Sequence, residues 1–333
     1  MQALMVNHKE VEQWLPMGEC MDVMAETLKM LSRGNAVNPL RHAMWLPDKS
    51  GVIGMMPAYL GDTEVMGLKA ISVFPGNHTT DYDSHQGTVM LFETKNGRLL
   101  AMMDASKITA IRTAAVSGAA TRLLARKDAA DLAILGSGVQ AKTHLEAMQV
   151  ARNISGVRVW SQHFDHAQKF ADQTLAAHSL PISAVETVEE AVEGADIICT
   201  ATSATEPVLQ GAWISPGTHI NAVGSSVDFT RELDTAAMVK SKLFVDRRES
   251  TLNEAGDFLF PKKEGAIDDG HIRGEIGDIL LDRIGGRESS AEITLFKSLG
   301  LAVEDVAAAH YIYQKMLRNK DGMWTEFTPL KSD

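Results

Sequence analysis

Two cationic residues stand in stretches where a charge is out of place. Lys69 interrupts the run VMGLKAISV, whose other members are apolar or small, so its ammonium must reach water or meet a partner. Arg112 lies in a stretch of mostly small residues, which would leave its planar guanidinium facing open space. That placement suits bidentate binding of a carboxylate. A structural ion pair with an acidic residue is the alternative for Arg112, and a lysine that extends to solvent is the alternative for Lys69.

The segment DLAILGSGVQA, residues 131–141, points to a phosphate-bearing ligand. A short apolar run stops at Gly136-Ser137-Gly138, and a helical pattern follows. Gly136 can take the backbone angles of a tight turn, and Gly138 lets a phosphate approach the main chain. The free amides at the start of the helix would face a pyrophosphate. The segment therefore predicts a site for a nicotinamide or flavin dinucleotide, with a simple turn as the alternative.

The end of the next predicted strand bears on which dinucleotide is bound. An acidic residue there would bind the ribose 2′-hydroxyl of NAD, whereas a basic one would accept the 2′-phosphate of NADP. Here the strand ends in Ser161-Gln162-His163, and no carboxylate occurs before Asp165. The lack of an acidic residue at this position weakly favours NADP(H) as the cofactor. His163 and the nearby His166 have no further ligand cluster around them, so no metal is predicted.

Three other features are weaker candidates. Arg41 precedes an apolar strand and has the character of a strand-edge cation. Residues 224–226, Gly-Ser-Ser, follow the predicted strand THINAV at the carboxyl end of a sheet, where ligands of doubly wound folds bind. Asp228 is a candidate acid or base, or simply an exposed loop carboxylate. No Ser-His-Asp arrangement, zinc spacing or Lys-Ser/Thr phosphate loop is evident, so hydride transfer is the natural chemistry.

The elements that must position these residues change character along the chain. Residues 8–34 predict two helices, and residues 38–100 predict a mostly antiparallel sheet. A helix of small residues then runs to about residue 125, after which strands and helices alternate. That alternation predicts a parallel, doubly wound sheet. Residues 261–287 predict a loop with a short helix, and residues 303–317 predict the last helix.

Composition excludes several classes of protein. The chain has 333 residues, 32 lysines and arginines against 43 acidic residues, and a net charge of -11. This length suggests about two domains, and the charge argues against a broad nucleic-acid or anionic-membrane surface. The N-terminal sequence has no basic region followed by an apolar stretch, and no apolar run is long enough for a bilayer span. We therefore expect a cytoplasmic protein.

Four stretches in order carry a family resemblance: residues 84–124, residues 134–147, INAVGSS with RELD, and FKSLGLAVEDVAAA. Together they resemble the ornithine cyclodeaminase and mu-crystallin family, over residues 41–313, and most closely its mu-crystallin branch of ketimine reductases. The resemblance implies a Rossmann domain, residues 116–304, and an α+β domain for substrate binding and dimerisation, residues 1–115 with 305–333. It implies a homodimer whose sheets pair.

The resemblance also assigns roles to individual residues. Lys69 matches the active-site lysine, Arg112 the carboxylate-binding arginine, and Arg41 a second arginine of that pocket. The positions that match the family's cofactor site are Thr113, Gly136, Ser137, Gly138, Val139 and Gln140, with Val223 and Gly224 near the nicotinamide. The second strand lacks the Asn-Arg-Thr ending of NADPH-binding mu-crystallin, so NAD(H) stays open.

One departure from the family pattern concerns the reaction. Ornithine cyclodeaminases and related archaeal alanine dehydrogenases carry an aspartate six residues before the glutamate of an E-L pair. Counting back from Glu232-Leu233 leads to Ser226, and members similar to mu-crystallin also have serine there. The resemblance therefore implies an NAD(P)H-dependent reductase of imino acids, with Lys69, Arg112 and Ser226 as catalytic candidates. The alternatives are an ornithine or lysine cyclodeaminase with bound NAD and a non-catalytic, crystallin-like binding protein.

Overall fold

The computed structural model describes residues 2–175 and 180–327. Its strands are β1 (Gln2–Val6), β2 (Ala36–Val37), β3 (His42–Trp45), β4 (Val52–Leu60), β5 (Val65–Val73), β6 (His85–Glu93), β7 (Leu99–Asp104), β8 (Asp131–Leu135), β9 (Gly156–Trp160), β10 (Ile182–Ala184), β11 (Ile197–Thr200), β12 (His219–Ala222), β13 (Lys242–Val245), β14 (Ile272–Glu275), β15 (Thr294–Lys297) and β16 (Met323–Glu326). Its α-helices are α1 (His8–Trp14), α2 (Met17–Ser32), α3 (Ala105–Leu124), α4 (Val139–Ala151), α5 (Phe164–Leu175), α6 (Val188–Val192), α7 (Thr235–Lys240), α8 (Arg248–Glu254), α9 (Gly256–Lys263), α10 (Ile276–Leu280) and α11 (Ala302–Asn319).

The chain forms two compact units. Unit 1 is the described part of Met1–Arg112 and Leu301–Asp333, and unit 2 is Thr113–Gly300. The division falls inside α3 and just before α11, within a few residues of the boundaries given above from the sequence. The binding roles of the two units remain predictions.

Unit 1 is built on an eight-stranded sheet in the order β16-β1-β7-β6-β5-β4-β2, with β3 also paired to β4. Its neighbouring strands are antiparallel except for β1 and β7, which are parallel. Helix α11 packs on β4, β5 and β6. A Cβ atom on Gly67 would come within 2.7 Å of the Val306 side chain, so the glycine allows the helix to approach β5 closely. This packing brings the first turn of α11 to the middle of β5.

Unit 2 contains a second eight-stranded sheet, in the order β10-β9-β8-β11-β12-β15-β13-β14, and all of its pairs are parallel. The strand order runs outward from β8 to β9 and β10 on one side and to β11 and β12 on the other. Between β8 and β11 lies the topological switch point at which ligands of doubly wound folds bind. The prediction of a doubly wound parallel sheet is confirmed.

The sequence patterns missed five strands, one of which is the two-residue β2. β14 and β15 lie after residue 260, where a loop and a short helix were expected for residues 261–287, and β1 and β16 lie near the ends of the chain. β14 reads IRGE, with charges and a glycine, and its strand conformation depends on pairing with β13. β15 reads TLFK, only four residues long and fully buried. Such short strands carry no usable periodicity, because pairing with neighbours rather than local sequence stabilises them.

Within residues 2–175 and 180–327, no helix has both the length and the apolar character needed to cross a bilayer.

Candidate functional site

Lys69 lies in the middle of β5 and is 2% exposed. Its Nζ atom lies 2.7 Å from Oδ2 of Asp305 in the first turn of α11. The same ammonium donates a long hydrogen bond, 3.4 Å, to the hydroxyl of Thr109 on α3. Of the two outcomes expected from the sequence, Lys69 therefore meets a partner and does not extend to water.

Arg112 lies on α3 and is 3% exposed, so the expectation that its guanidinium faces open space was wrong. Its Nε atom donates to Oδ1 of Asp305 at 2.7 Å, and its NH1 atom donates to Oε2 of Glu304 at 2.9 Å. Both carboxylates are fully buried. The ion-pair alternative for Arg112 is thus present, and the two carboxylates fix the plane of the guanidinium.

Lys69, Arg112 and Asp305 lie close enough for their charges to interact. The pKa of Lys69 is lowered to about 8, because burial and the positive charges of Arg112 and Arg41 lower it more than Asp305 raises it. Burial alone would raise the pKa of Asp305, but the neighbouring Arg112 and Lys69 hold it below its usual value. A lysine with a pKa near 8 can both hold and release a proton close to neutral pH, which is the property required of a general acid or base.

Two further basic residues interact electrostatically with Lys69. Arg41 is half-buried, and its charge lowers the pKa of Lys69. His85 begins β6 and keeps solvent contact, yet the protein packed around its ring and the charge of Lys69 lower its pKa. The structure therefore groups Lys69, Arg112 and Arg41, the three substrate-binding candidates, in unit 1. Such a basic group can bind a carboxylate and place a proton donor near it.

The loop after β8 has the geometry of a dinucleotide-binding turn. Gly136 has φ of +117°, and a Cβ atom there would lie 2.4 Å from the carbonyl oxygen of Ala201, so no other residue fits without a shift. A Cβ atom on Gly138 would meet nothing within 4 Å, so the missing side chain leaves space open beside the main chain. The Ser137 hydroxyl lies 3.1 Å from the hydroxyl of Ser161 and connects the loop to the end of β9.

The start of α4 offers backbone donors and one side-chain acceptor that could bind a ligand. Helix α4 begins at Val139 with no side-chain cap from its N-cap residue Gly138, and the first amides of an α-helix have no partner within the helix. The Oε1 atom of Gln140 is buried and has no hydrogen-bond partner among the described residues. A pyrophosphate with ribose hydroxyl groups carries the acceptors and donors that these groups lack. The residues present therefore fit a dinucleotide.

The remaining cofactor candidates all lie in unit 2. Thr113 is buried in α3. Ser161 is half-buried after β9, and Gln162 and His163 are exposed. The side chain of Asp165, in the first turn of α5, is 82% exposed, so no buried carboxylate marks the end of this strand.

The residues that follow β12 are held by Glu232, which the sequence patterns did not mark as functional. The fully buried Glu232 carboxylate accepts hydrogen bonds from the Gly224 amide at 2.7 Å, from the Thr202 amide at 2.6 Å and from the Thr200 hydroxyl at 2.7 Å. Burial and the nearby Asp257 raise the pKa of Glu232. Glu232 thus ties together the segments that leave β11 and β12 at the carboxyl edge of the sheet.

Ser226 lies just beyond this anchored segment. It is half-buried, while Asp228 is exposed. Both the side chain and the main chain of the preceding Ser225 are hydrogen-bonded. Its hydroxyl donates to the Thr230 carbonyl at 2.6 Å, and its carbonyl oxygen accepts from the Lys297 ammonium at 2.5 Å. The catalytic role of Ser226 stays a prediction.

The most important residues missed from the sequence are Glu304 and Asp305. Both lie in the stretch LAVEDVAAA, where two adjacent acids interrupt an apolar run. The reasoning that marked Lys69, a charge among apolar residues, would have marked them too. Within the described ranges, no group of three or more His, Cys, Asp or Glu side chains is arranged to hold a metal.

Comparison with known proteins places the chain among enzymes. Ketimine reductase mu-crystallin of Mus musculus is 40% identical over 288 residues, 86% of this chain and 88% of the relative. Delta(1)-pyrroline-2-carboxylate reductase of Bacillus cereus is 35% identical over 325 residues, 97% of this chain and 100% of the relative.

A solved structure agrees with these sequence relatives. The Delta(1)-pyrroline-2-carboxylate reductase of Thermococcus litoralis, solved in complex with NADH and L-proline, superposes with a TM-score of 0.93 and is 41% identical, covering 96% of this chain and 99% of its own. The sequence pattern of the ornithine cyclodeaminase/mu-crystallin family matches residues 1–320. The chain belongs to the ornithine cyclodeaminase/mu-crystallin family.

Proposed function

We propose that the protein is an NAD(P)H-dependent reductase of imino acids, which adds hydride to an imine carbon next to a carboxylate and in reverse dehydrogenates an amino acid. The observation that carries the proposal is the buried Lys69, paired to Asp305 beside Arg112. The named relatives, a ketimine reductase and two pyrroline-2-carboxylate reductases, support this reaction class.

Arg112 and Arg41 would bind the substrate carboxylate. The buried Lys69 and Arg112 carry two positive charges, and Glu304 and Asp305 carry two negative ones, so these four charges cancel. Arg41, whose positive charge also acts on Lys69, would add to the binding of the substrate carboxylate. The fixed plane of the Arg112 guanidinium suits the planar carboxylate.

Lys69 would act on the imine nitrogen. Its ammonium would donate a proton or a hydrogen bond to that nitrogen, directly or through water, because a protonated imine accepts hydride more readily. In the reverse direction the neutral amine would take the proton back. A pKa of about 8 allows both states near neutral pH. When bound, a nicotinamide dinucleotide supplies the hydride.

The cofactor would be held by the loop after β8 and the start of α4. Gly136, Ser137, Gly138, Val139 and Gln140 would surround the pyrophosphate. Thr113, Val223 and Gly224 would complete the site at the carboxyl edge of the sheet. Ser161, Gln162 and His163 would face the adenosine ribose, where the lack of a carboxylate favours NADP(H) over NAD(H). Direct titration with each reduced dinucleotide distinguishes the two.

Ser226 supports reduction over cyclodeamination. It occupies the position at which cyclodeaminases carry an aspartate, and a serine hydroxyl cannot serve as a carboxylate base at neutral pH. Ser226 would instead contribute a hydrogen bond at the reacting end of the site. We also propose a homodimer, as the family resemblance implies, which light scattering after size exclusion would test. The cytoplasmic location stays a prediction from sequence.

The first experiment is a reductase screen. The purified protein is mixed with NADH or NADPH and with pyrroline-2-carboxylate, piperideine-2-carboxylate, or pyruvate plus methylamine, and loss of reduced nicotinamide is followed by absorbance. Imine-dependent oxidation is the expected result. Ammonia release from ornithine with no net change in nicotinamide would instead identify a cyclodeaminase. Tight dinucleotide binding without either reaction would identify a binding protein.

A further inference from the structure

We propose that Asp305 is the positioning residue of this site: its carboxylate bridges the Lys69 ammonium and the Arg112 guanidinium and holds both in one arrangement for the substrate. The inference rests on the proposed imine reductase function and extends it to a residue on α11 that would not touch substrate.

The geometry separates Asp305 from its neighbour. Asp305 uses one oxygen for each cation, with Oδ2 2.7 Å from Lys69 Nζ and Oδ1 2.7 Å from Arg112 Nε. Glu304 contacts Arg112 and also accepts from the Leu301 amide at 3.1 Å, which anchors the first turn of α11. Both acids are fully buried on the same helical turn. Asp305 thus joins Lys69 to Arg112, two of the three proposed substrate-binding cations.

A bridge is needed because Lys69 is flexible and its neighbours repel it. A lysine side chain has four rotatable bonds, so fixing it in one conformation loses side-chain entropy. The groups that face Lys69 are Asp305 from α11, Arg112 and Thr109 from α3, Arg41 before β3, and His85 from β6. Asp305 is the anion among these five groups. Without it, the ammonium would face positive charges in a buried position.

The sign of the effect on the Lys69 proton follows directly. Asp305 raises the pKa of Lys69, whereas burial, Arg112 and Arg41 lower it. Replacement of the carboxylate by a neutral amide therefore lowers the pKa of Lys69 below about 8. An opposite charge at this range is worth about 1 to 3 pH units. If the protonated lysine is the acid for imine reduction, the alkaline limb of the rate profile must move to lower pH.

The test compares two matched amides, Asp305→Asn and Glu304→Gln. For imine reduction, Asp305→Asn is expected to lower kcat at pH 7.5 by about ten- to a hundredfold. The kcat of this variant should recover in part as the pH falls towards 6. The midpoint of the alkaline limb of its rate profile should lie at least about one pH unit lower than in the wild type. Glu304→Gln is expected mainly to raise KM, because it loosens Arg112, and to leave the midpoint in place. An unmoved midpoint in Asp305→Asn, or an equal shift in both variants, overturns the proposal.

A second variant covers the case in which Asp305→Asn does not fold. Asp305→Glu keeps the charge but displaces it by one methylene, so the midpoint should stay near its normal value while kcat falls. If the alkaline midpoint of Asp305→Glu falls as far as expected for a neutral residue at this position, the bridge is contradicted. Binding of reduced dinucleotide, measured by fluorescence, reports in each variant whether unit 2 is folded.

A direct titration separates this proposal from the proposed function. The Cε resonance of Lys69 is identified by its loss in Lys69→Arg and is followed by NMR against pH, which needs no turnover. A lower titration midpoint in Asp305→Asn than in Glu304→Gln supports the bridge even if no imine is reduced. Equal midpoints overturn the bridge even if the wild-type protein proves to be an imine reductase.

Discussion

Each unit of this protein buries a network of charges, and the two networks are satisfied in different ways. In unit 1, Asp305 lies between two cations, Lys69 and Arg112, and its pKa is lowered. In unit 2, the buried Glu232 binds amides and hydroxyl groups and lies near a second acid, Asp257, so its pKa is raised. The first network fixes side chains that we propose to bind the substrate, and the second holds backbone segments in place.

Lys297 shows the difference most clearly when compared with Lys69. Lys297 is fully buried on β15, and its Nζ atom lies 2.8 Å from Asp257 and 2.5 Å from the carbonyl oxygen of Ser225. Its partners thus include the main chain of the loop it supports. A buried lysine alone is therefore weak grounds for assigning catalysis. What distinguishes a catalytic lysine from a structural one is its partners. Lys69 contacts side chains beside a predicted substrate site, whereas Lys297 contacts the backbone of a loop.

The largest expected effect tests the catalytic side of this comparison. Lys69→Met should lower kcat/KM for imine reduction by about a thousandfold, because it removes the proton donor while keeping a side chain of similar length. Cofactor affinity should stay unchanged. Lys107→Met is the matched control, since Lys107 on α3 pairs at 2.8 Å with Glu12, whose side chain is 64% exposed, and such pairs contribute little. Full activity in Lys69→Met would remove the assignment of Lys69.

The second effect tests the structural side. Lys297→Met leaves the buried Asp257 without the charge that faces it, which should cost about 3 to 5 kcal/mol of unfolding free energy and lower Tm by about 10 °C. Calorimetry measures this directly. Lys242→Met is the control, because Lys242 pairs at 3.1 Å with Glu288, whose side chain is 70% exposed, and more loosely, at 3.7 Å, with Glu292. Equal Tm values for the two variants would show that the buried network of unit 2 does not stabilise the loop.

The smallest expected effect concerns the shape of one cation. Arg112→Lys keeps the positive charge that faces Glu304 and Asp305 but loses the planar fork. We expect KM for the imino acid to rise by about ten- to a hundredfold, with a smaller change in kcat, since charged hydrogen bonds contribute about 1.5 to 3 kcal/mol. Steady-state kinetics at saturating cofactor measures both constants. A KM equal to that of the wild type would place substrate binding elsewhere.

Local patterns predicted most of the elements that carry these networks. The glycine turn, the helix Val139–Ala151 and the strand that carries Lys69 are encoded by nearby residues, through backbone freedom at Gly136 and through hydrophobic periodicity. Short strands such as β15 were missed, because their neighbours rather than their own sequence stabilise them.

The sequence by itself determined the family, the dinucleotide turn and the two unusual cations, Lys69 and Arg112, because each is visible within a few consecutive residues. Only the tertiary structure decided what those cations meet. Arg112 and Asp305 are 193 positions apart, and they come together because α11 packs on the sheet of unit 1. A buried charge takes its partner from whichever element packs against it, and hydrophobic packing between distant segments selects that element.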